Sequence, residues 1–343
     1  MDQFKELCFK NGFKDFRREE NTDDTTIIRF LRAERYDVGR AFQKFLHFQT
    51  WRREHDIRRF YENIDVEVYD DSRKMYPQWI GRRDREGRPI YVFQVRQLTK
   101  KKLDRYLKML ERSSKHGSHA GSDVPIRVLH LHALYENLLQ FVFPLVSELP
   151  RPDTRRSVSS STHIVDISGV SVLQFWSIRK YLQEASEIAT AHYPETLGRV
   201  FVVGAPAFFK SVWEAISQWF DPETRSKIFI LSASESKSLL LSHIDAADLP
   251  ERYNGELRWE WEDQPNLDES TRNLVNEVYQ KTHRGEVFSK GPLMFQDGCI
   301  NLLGSADGLP RRNAFCRPGT TTRRRPMARP ASETTVNTRT KLE

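Results

Sequence analysis

Cysteine is scarce: the 343 residues contain Cys8, Cys299 and Cys316. An odd count at distant positions offers neither the close pairs of a zinc site nor the even framework of a secreted disulfide scaffold, so the three are expected to be reduced bystanders. Glycine and proline number only 16 each beside 38% hydrophobic residues, which excludes the collagenous and wholly disordered classes. The longest apolar run, LLQFVFPLV at 138–146, falls well short of the roughly 18 residues that a bilayer-crossing helix needs. The amino-terminal MDQFKELCFKNGFKDF has no apolar centre of the kind a secretory signal carries, and a cytosolic chain is expected. Catalytic punctuation is missing as well: there is no GxSxG, no GxxxxGK[ST], no GxGxxG and no HExxH, so an enzyme reading has no anchor. The basic excess belongs mainly to the tail. Residues 298–343 hold nine Lys/Arg against three Asp/Glu, or +6 of the net +7, and the other 297 residues sum to +1. A nucleic-acid module concentrates its basic excess on a folded surface, and no nucleic-acid partner is expected.

What is present is an ordered alternation of patterns. DDTTIIRFLRAE (23–34) and VGRAFQKFLHFQTWRREH (38–55) are amphipathic at helical spacing, with Asp23 or Asp24 placed to cap the first. From about residue 89 short β-rich runs take over: PIYVFQV (89–95), THIVDI (162–167), RVFVVG (199–204) and KIFIL (227–231). The last three alternate with helical stretches at 171–193 and 206–220, long enough to be crossover helices between parallel strands. The fold class is therefore α/β with a largely parallel sheet behind an amino-terminal helical section. Turn-rich loops are expected at 113–123 and 150–161, and a late helix at 267–283. The expected organisation is a helical domain at 1–60, the α/β domain at 61–260, a helical extension at 261–297 and a disordered basic tail at 298–343.

Two histidine pairs, His116 with His119 and His130 with His132, lack the Cys or carboxylate company of a metal site and read as surface or packing residues. No metal is expected. Residues 206–220 are richer in information: nine of the fifteen side chains are apolar and five, Phe208, Phe209, Trp213, Trp219 and Phe220, are aromatic. That pattern fits an ordinary core helix against a sheet, and equally a helix that covers an apolar cavity and swings onto a membrane interface.

Seven strings in order, TTIIRFLRAERYDV (25–38), DREGRPIYV (84–92), YENLLQFVFPLVSEL (135–149), THIVDISGVSV (162–172), AHYPETLGRVFVVGAP (191–206), DPETRSKIFIL (221–231) and LPERYNGEL (249–257), make the chain resemble the CRAL-TRIO lipid-transfer family, especially its fungal phosphatidylinositol/phosphatidylcholine transfer proteins. The resemblance spans about 230 residues. It implies a helical amino-terminal domain, a sheet that floors a deep lipid pocket, and a mobile gate helix formed here by Phe208, Phe209, Val212, Trp213, Ile216, Trp219 and Phe220. A phospholipid with about 30 methylenes loses roughly 25 kcal/mol on exposure to water, so an enclosed cavity is required.

By the same resemblance, Glu195 accepts inositol hydroxyls, Lys227 neutralises the lipid phosphate and Thr224 adds a hydroxyl bond. Arg35 and Asp84 match outer positions near the headgroup. Ser161 and His163 match the second-ligand pocket, where His163 replaces a hydroxyl residue; an imidazole there is able to donate to phosphate, favour another lipid, ligate a haem iron or serve as an interior hydrogen-bonded group. Glu34 stands where the fungal proteins are usually basic, and Asn254 replaces the first of a pair of glycines. The implied activity is non-enzymatic exchange of phosphatidylinositol between membranes, with phosphatidylcholine or another lipid as second ligand and no cofactor beyond the bound phospholipid. A lipid kinase, a transient membrane surface and a monomeric state complete the expected partners. Docking is expected through the aromatic gate face and Arg29, Arg32, Arg35, Arg52 and Arg53, transiently on Golgi, endosomal or endoplasmic reticulum membranes. The rival is a non-transferring sensor or scaffold for sterol, another hydrophobic ligand or haem.

Overall fold

The computed structural model describes residues 1–13, 23–114, 123–206, 208–279 and 289–319. The chain opens with helices α1 (Asp2–Lys10), α2 (Asp24–Ala33), α3 (Val38–Glu54), α4 (Ile57–Asn63) and α5 (Val66–Arg73). Aspartates start three of them: Asp23, Asp37 and Asp65 each accept backbone N–H groups of the first turn, which would otherwise be unpaired. Phe4, Phe30, Phe42, Phe45 and Phe48 meet in one apolar cluster, with Phe30 edge-on to Phe45 at 5.4 Å. Tyr193, from far along the chain, completes that cluster.

Five strands form the central sheet in the order β1-β2-β3-β4-β5: β1 (Gln78–Arg83), β2 (Pro89–Gln94), β3 (Ser161–Asp166), β4 (Leu197–Val203) and β5 (Ile228–Ile230). The β1–β2 pair is antiparallel and the rest are parallel. Register sets the two faces. His163 lies opposite Tyr91 and Val200, while Ile164 lies opposite Val92 and Phe201. Because side chains alternate along a strand, Tyr91, Phe93, His163, Val165 and Val200 share one face. Ile90, Val92, Ile164 and Phe201 share the other and pack with Leu240 and Ile244. Burial on both faces explains why these strands read as nearly continuous apolar runs.

Between β2 and β3 lie α6 (Lys100–Ser114), α7 (Ile126–Asn137), a π-helical turn at Leu138–Val142 and α8 (Phe143–Ser147). The run LLQFVFPLV is thus a buried helical segment. α9 (Val172–His192) crosses from β3 to β4. α10 (Phe209–Ile216), a 3₁₀ turn at Ser217–Trp219 and α11 (Pro222–Ser226) lead from β4 to β5. The expected single helix at 206–220 is therefore shorter and ends in a tighter turn. α12 (Ala233–His243) covers the far face, opened by a capping box between Ser232 and Glu235. Asn254 adopts φ 67°, the left-handed conformation its amide tolerates. Its neighbour Gly255 has no such latitude, because a Cβ there would meet the Leu249 carbonyl oxygen at 1.9 Å.

The carboxy-terminal expectation needs correction. α13 (Glu269–Tyr279) is followed by β6 (Leu293–Gln296), β7 (Cys299–Leu302), β8 (Ser305–Ala306), β9 (Leu309–Pro310) and β10 (Ala314–Cys316). Order therefore continues beyond 298, since Leu293, Phe295, Ile300 and Leu302 pack on Leu138, Phe141 and Val142. Cys299 and Cys316 face each other on paired strands and are joined by a disulfide, so they are not reduced bystanders; Cys8 is buried in the amino-terminal cluster, outside that disulfide. The remainder of the tail, 320–343, and the end of the expected helix at 280–283 lie outside the described residues. Among the described residues no helix is long and apolar enough to cross a membrane.

Candidate functional site

A cavity of about 430 Å³ opens between the sheet face that carries Tyr91, Phe93, His163, Val165 and Val200 and the helices α7 and α9. Leu131, Leu134, Leu182, Ala185 and Ala189 supply apolar helix faces, and five tyrosines, Tyr76, Tyr91, Tyr135, Tyr181 and Tyr193, add flat aromatic walls. Tyr135 stacks on Tyr193 at 4.2 Å and Tyr76 on Tyr181 at 5.2 Å, which fixes these walls in place.

Polar residues gather at the mouth. Glu195 sits in the turn between α9 and β4 with φ 60°, a left-handed conformation rarely taken by a branched or long side chain outside special sites. Lys227 closes α11, and its Nζ donates to Glu195 Oε2 at 2.8 Å and lies 3.4 Å from Glu223. Thr224 donates its hydroxyl to Asp221 Oδ2 at 2.6 Å, while Asp221 also caps the backbone of α11. The expected Glu195, Thr224 and Lys227 trio is thus brought together at one opening. Also in the lining, Lys44 of α3 donates to Glu34 at the end of α2 at 3.2 Å. Four carboxylates (Glu34, Glu195, Asp221, Glu223) and two ammonium groups (Lys44, Lys227) line the cavity. Lys44, Asp221 and Glu223 escaped sequence reading; Lys44 is linked to Glu34 only by the packing of two helices. Arg29, 2% exposed, lies close enough to feel the charge of Glu195, and burial lowers its guanidinium to about 10.

Two expected outer residues are placed elsewhere. Arg35 lies in the turn after α2 with φ 51°, and its exposed side chain does not line the cavity. Asp84 is buried in the β1–β2 turn, where it accepts from Thr162 Oγ1 at 2.7 Å and from the backbone of Glu86 and Arg88. Its carboxylate is consumed by that turn. Of the five arginines expected to form a docking face, Arg35 and Arg53 are exposed and Arg32 half-buried, but Arg29 is buried and Arg52 makes a buried two-pronged pair with Glu136 at 2.6 and 3.0 Å.

Ser161 and His163 lie on the cavity wall at the start of β3. Ser161 Oγ is 2.8 Å from His163 Nε2 and 3.0 Å from the Thr196 carbonyl oxygen, and the imidazole stacks on Tyr91 at 5.2 Å. Burial pulls His163 down to about 4, so the ring is uncharged at neutral pH. His130 and His132 are packing residues, bonded to Ser72 Oγ and to the Val128 carbonyl and His192; His116 and His119 lie outside the described residues. No metal-holding group of three or more ligands occurs among the described residues.

Of the gate residues, Phe209 and Val212 are buried against the cavity-side cluster, and Phe208, Trp213 and Ile216 are half-buried against it. Trp219 is half-buried, and Phe220 reaches the cavity wall. Phe209, Trp213 and Phe220 form a stacked ladder with centroids 6.5 Å apart at each step.

A mostly parallel sheet flooring an apolar cavity, preceded by packed helices, is the architecture of the CRAL-TRIO fold. Residues 73–255 match the CRAL/TRIO domain, and the chain belongs to that family. It is similar to the SEC14 cytosolic factor of Candida glabrata, 30% identical over 244 residues that cover 71% of this chain and 72% of that protein. The Sec14 cytosolic factor of Schizosaccharomyces pombe is 31% identical over 237 residues, 69% of this chain and 76% of the relative. Phosphatidylinositol/phosphatidylcholine transfer protein SFH7 of Arabidopsis thaliana is 31% identical over 230 residues, 67% of this chain and 38% of that longer protein. Among solved structures, Sfh5 aligns with a TM-score of 0.45 at 20% identity, covering 65% of this chain and 68% of its own.

Proposed function

We propose that the protein carries phosphatidylinositol between membranes, as a non-enzymatic exchanger whose gate is α10 with the turn that follows it. The observation that carries this reading is the joining of an apolar cavity to the Glu195–Lys227–Thr224 group at its mouth. The cavity shelters acyl chains. Lys227 exchanges its Glu195 contact for the lipid phosphodiester, which frees Glu195 to accept inositol hydroxyls, a swap of one charge-assisted bond for two. The name of the Arabidopsis relative, a phosphatidylinositol/phosphatidylcholine transfer protein, supports the same reading. Exchange, rather than one-way extraction, lets the incoming lipid cover the apolar walls that the outgoing one vacates, so gate movement sets the barrier. We extend the proposal to a monomer that works at the cytosolic face of Golgi, endosomal or endoplasmic reticulum membranes and presents its lipid to a lipid kinase.

Membrane docking is assigned to the start of α9 in place of the arginine set. Leu173 is 83% exposed and Trp176 48%, with Val172 beside them, while Phe175 between them turns into the cluster that holds Phe209 and Val212. Gln174 bonds the carbonyls of Val95, Arg96 and Leu98, which brings exposed Arg96 next to this apolar patch, and Arg179 lies 4.8 Å over the Trp176 ring. An aromatic and aliphatic patch flanked by bases suits an anionic bilayer surface.

The test is transfer of labelled phosphatidylinositol between vesicles. Lys227→Ala and Glu195→Ala are each expected to lower loading by about tenfold or more, the scale of a charged hydrogen bond, with the melting temperature retained. Unchanged loading in both variants overturns the headgroup assignment, and a wild-type protein that moves no inositol lipid overturns the function.

A further inference from the structure

The second ligand is decided by which atom of His163 faces it. Ser161 has one hydroxyl proton and two close neighbours, the Thr196 carbonyl oxygen at 3.0 Å and His163 Nε2 at 2.8 Å. A carbonyl oxygen only accepts, so sending the proton to Nε2 would leave two acceptor oxygens facing each other. The proton therefore goes to Thr196, and His163 Nε2–H donates to Ser161. That assignment leaves Nδ1 as a lone pair. No described protein group bonds to it, and the side chain lines the cavity. Stacking on Tyr91, with the rings 13° from parallel, holds the imidazole in this orientation. On α9, which faces the sheet across the cavity, the Ser186 hydroxyl is buried without a hydrogen-bond partner among the described residues.

We propose that this interior wall takes an uncharged lipid alcohol, of the sterol or diacylglycerol class, in place of a choline phospholipid, with the ligand hydroxyl donating to His163 Nδ1. The inference rests on the reading of the cavity as a lipid site. A hydroxyl gives one hydrogen bond and takes others, so it satisfies the free acceptor while its own oxygen accepts from a donor. A phosphocholine group has oxygens that only accept and a trimethylammonium that has no N–H. Against Nδ1 it places acceptor on acceptor, and the imidazole is too little charged at neutral pH to supply a proton. A threonine hydroxyl at the same position would rotate to donate to a phosphate oxygen; the substitution of His for a hydroxyl residue thus reverses the polarity of the wall.

The test loads the full chain from vesicles with equal fractions of phosphatidylinositol, phosphatidylcholine, ergosterol and dioleoylglycerol, then identifies retained lipid by mass spectrometry. Wild type is expected to retain at least one alcohol about tenfold above phosphatidylcholine, roughly the discrimination that one buried unpaired polar atom imposes. Which alcohol is retained separates the two sources. His163→Phe is expected to lose alcohol retention about tenfold, and His163→Thr to raise phosphatidylcholine retention severalfold; a thermal melt shows whether each variant is folded, and the threonine arm decides if the phenylalanine variant is not. Equal retention of phosphatidylcholine and alcohols by wild type, alcohol retention unaffected in His163→Phe, or a Soret band in purified protein that His163→Phe abolishes would each overturn the proposal. Phosphatidylinositol exchange without alcohol uptake sinks this inference alone. Failure of every lipid to load sinks the reading of the cavity with it.

Discussion

At the residue scale, burial and pairing decide what each charged side chain is for. Arg52 and Glu136 tie α3 to α7 deep inside the protein, and Gln140 and Tyr193 also donate to the same carboxylate. Removing one partner leaves an uncompensated buried charge, so Arg52→Met is expected to destabilise by about 3–5 kcal/mol, measured by urea unfolding, whereas Lys227→Ala at the half-buried mouth changes stability by about 1 kcal/mol or less. The histidines give the protein a defined pH response. Burial lowers His130 and His132 to about 3 and His163 and His192 to about 4, against about 6.5 in an unfolded chain. The unfolded state then binds more protons than the folded state between those values. Stability is full above about pH 6.5 and is lost as the pH falls through 6 toward 4. Unfolding free energy from urea melts is expected to be level from pH 8 to 7 and to drop below 6. Replacing His130 with Asn should flatten that drop by about 1.4 kcal/mol per pH unit, and a slope that does not change would show the ring to be charged in the folded protein.

At the scale of elements, the start of α9 divides its work between two faces. Phe175 and Ile178 are buried, while Leu173 and Trp176 stand in solvent at the same end of the helix. Leu173→Asp combined with Trp176→Asp is expected to lower binding to anionic vesicles by at least about tenfold in a flotation assay, with the melting temperature and detergent-assisted lipid loading retained. Undiminished flotation would move the docking surface elsewhere. The same elements show what the sequence discloses. Strands β2 to β4 and helix α9 were readable because strand runs buried on both faces and a 3.6-residue period leave marks within one segment; the short edge strand β5 was readable from its apolar β-branched run although Phe229 and Ile230 are exposed. The grouping of Glu195, Thr224 and Lys227 was readable through resemblance. β1 was not, since QWIGRR alternates poorly and takes its strand character from pairing with β2. Nor was the fate of Asp84 and Arg52: their functions depend on partners at 162 and 136, distances along the chain that no local pattern encodes. Lys44 joins the lining by a contact between helices, and nothing in VGRAFQKFLHF distinguishes it from a solvated lysine.

At the scale of the whole molecule, the carboxy-terminal segment is part of the structure that holds the cavity, although its composition reads as a basic tail. Residues after 298 look disordered in sequence because their few apolar side chains are spaced for a short meander and not for a helix. In the fold, Ile300 and Leu302 are covered by the π-helical turn that leads out of α7, itself a cavity wall, and Tyr61 of the amino-terminal helices accepts from the Leu293 backbone and donates to its carbonyl at 2.6 Å. The segment therefore links the first helices, the cavity wall and α13. Each large apolar side chain removed from such a setting costs about 2–5 kcal/mol, against a net stability of about 5–15 kcal/mol for a typical protein. A chain ended at Asp297 loses β7 and β10 together and leaves β6 without its ladder partner; it is expected to melt at least about 10 °C lower and to load less phosphatidylinositol, while a chain ended at Gly319, which keeps all three strands, holds its melting temperature. The variant Ile300→Ala in the full chain separates packing from chain length: it is expected to lose about 2–5 kcal/mol without deleting any residue. Equal melting of the chains ended at 297 and 319 would show that the sheet is an appendage, and would return the domain boundary to 298.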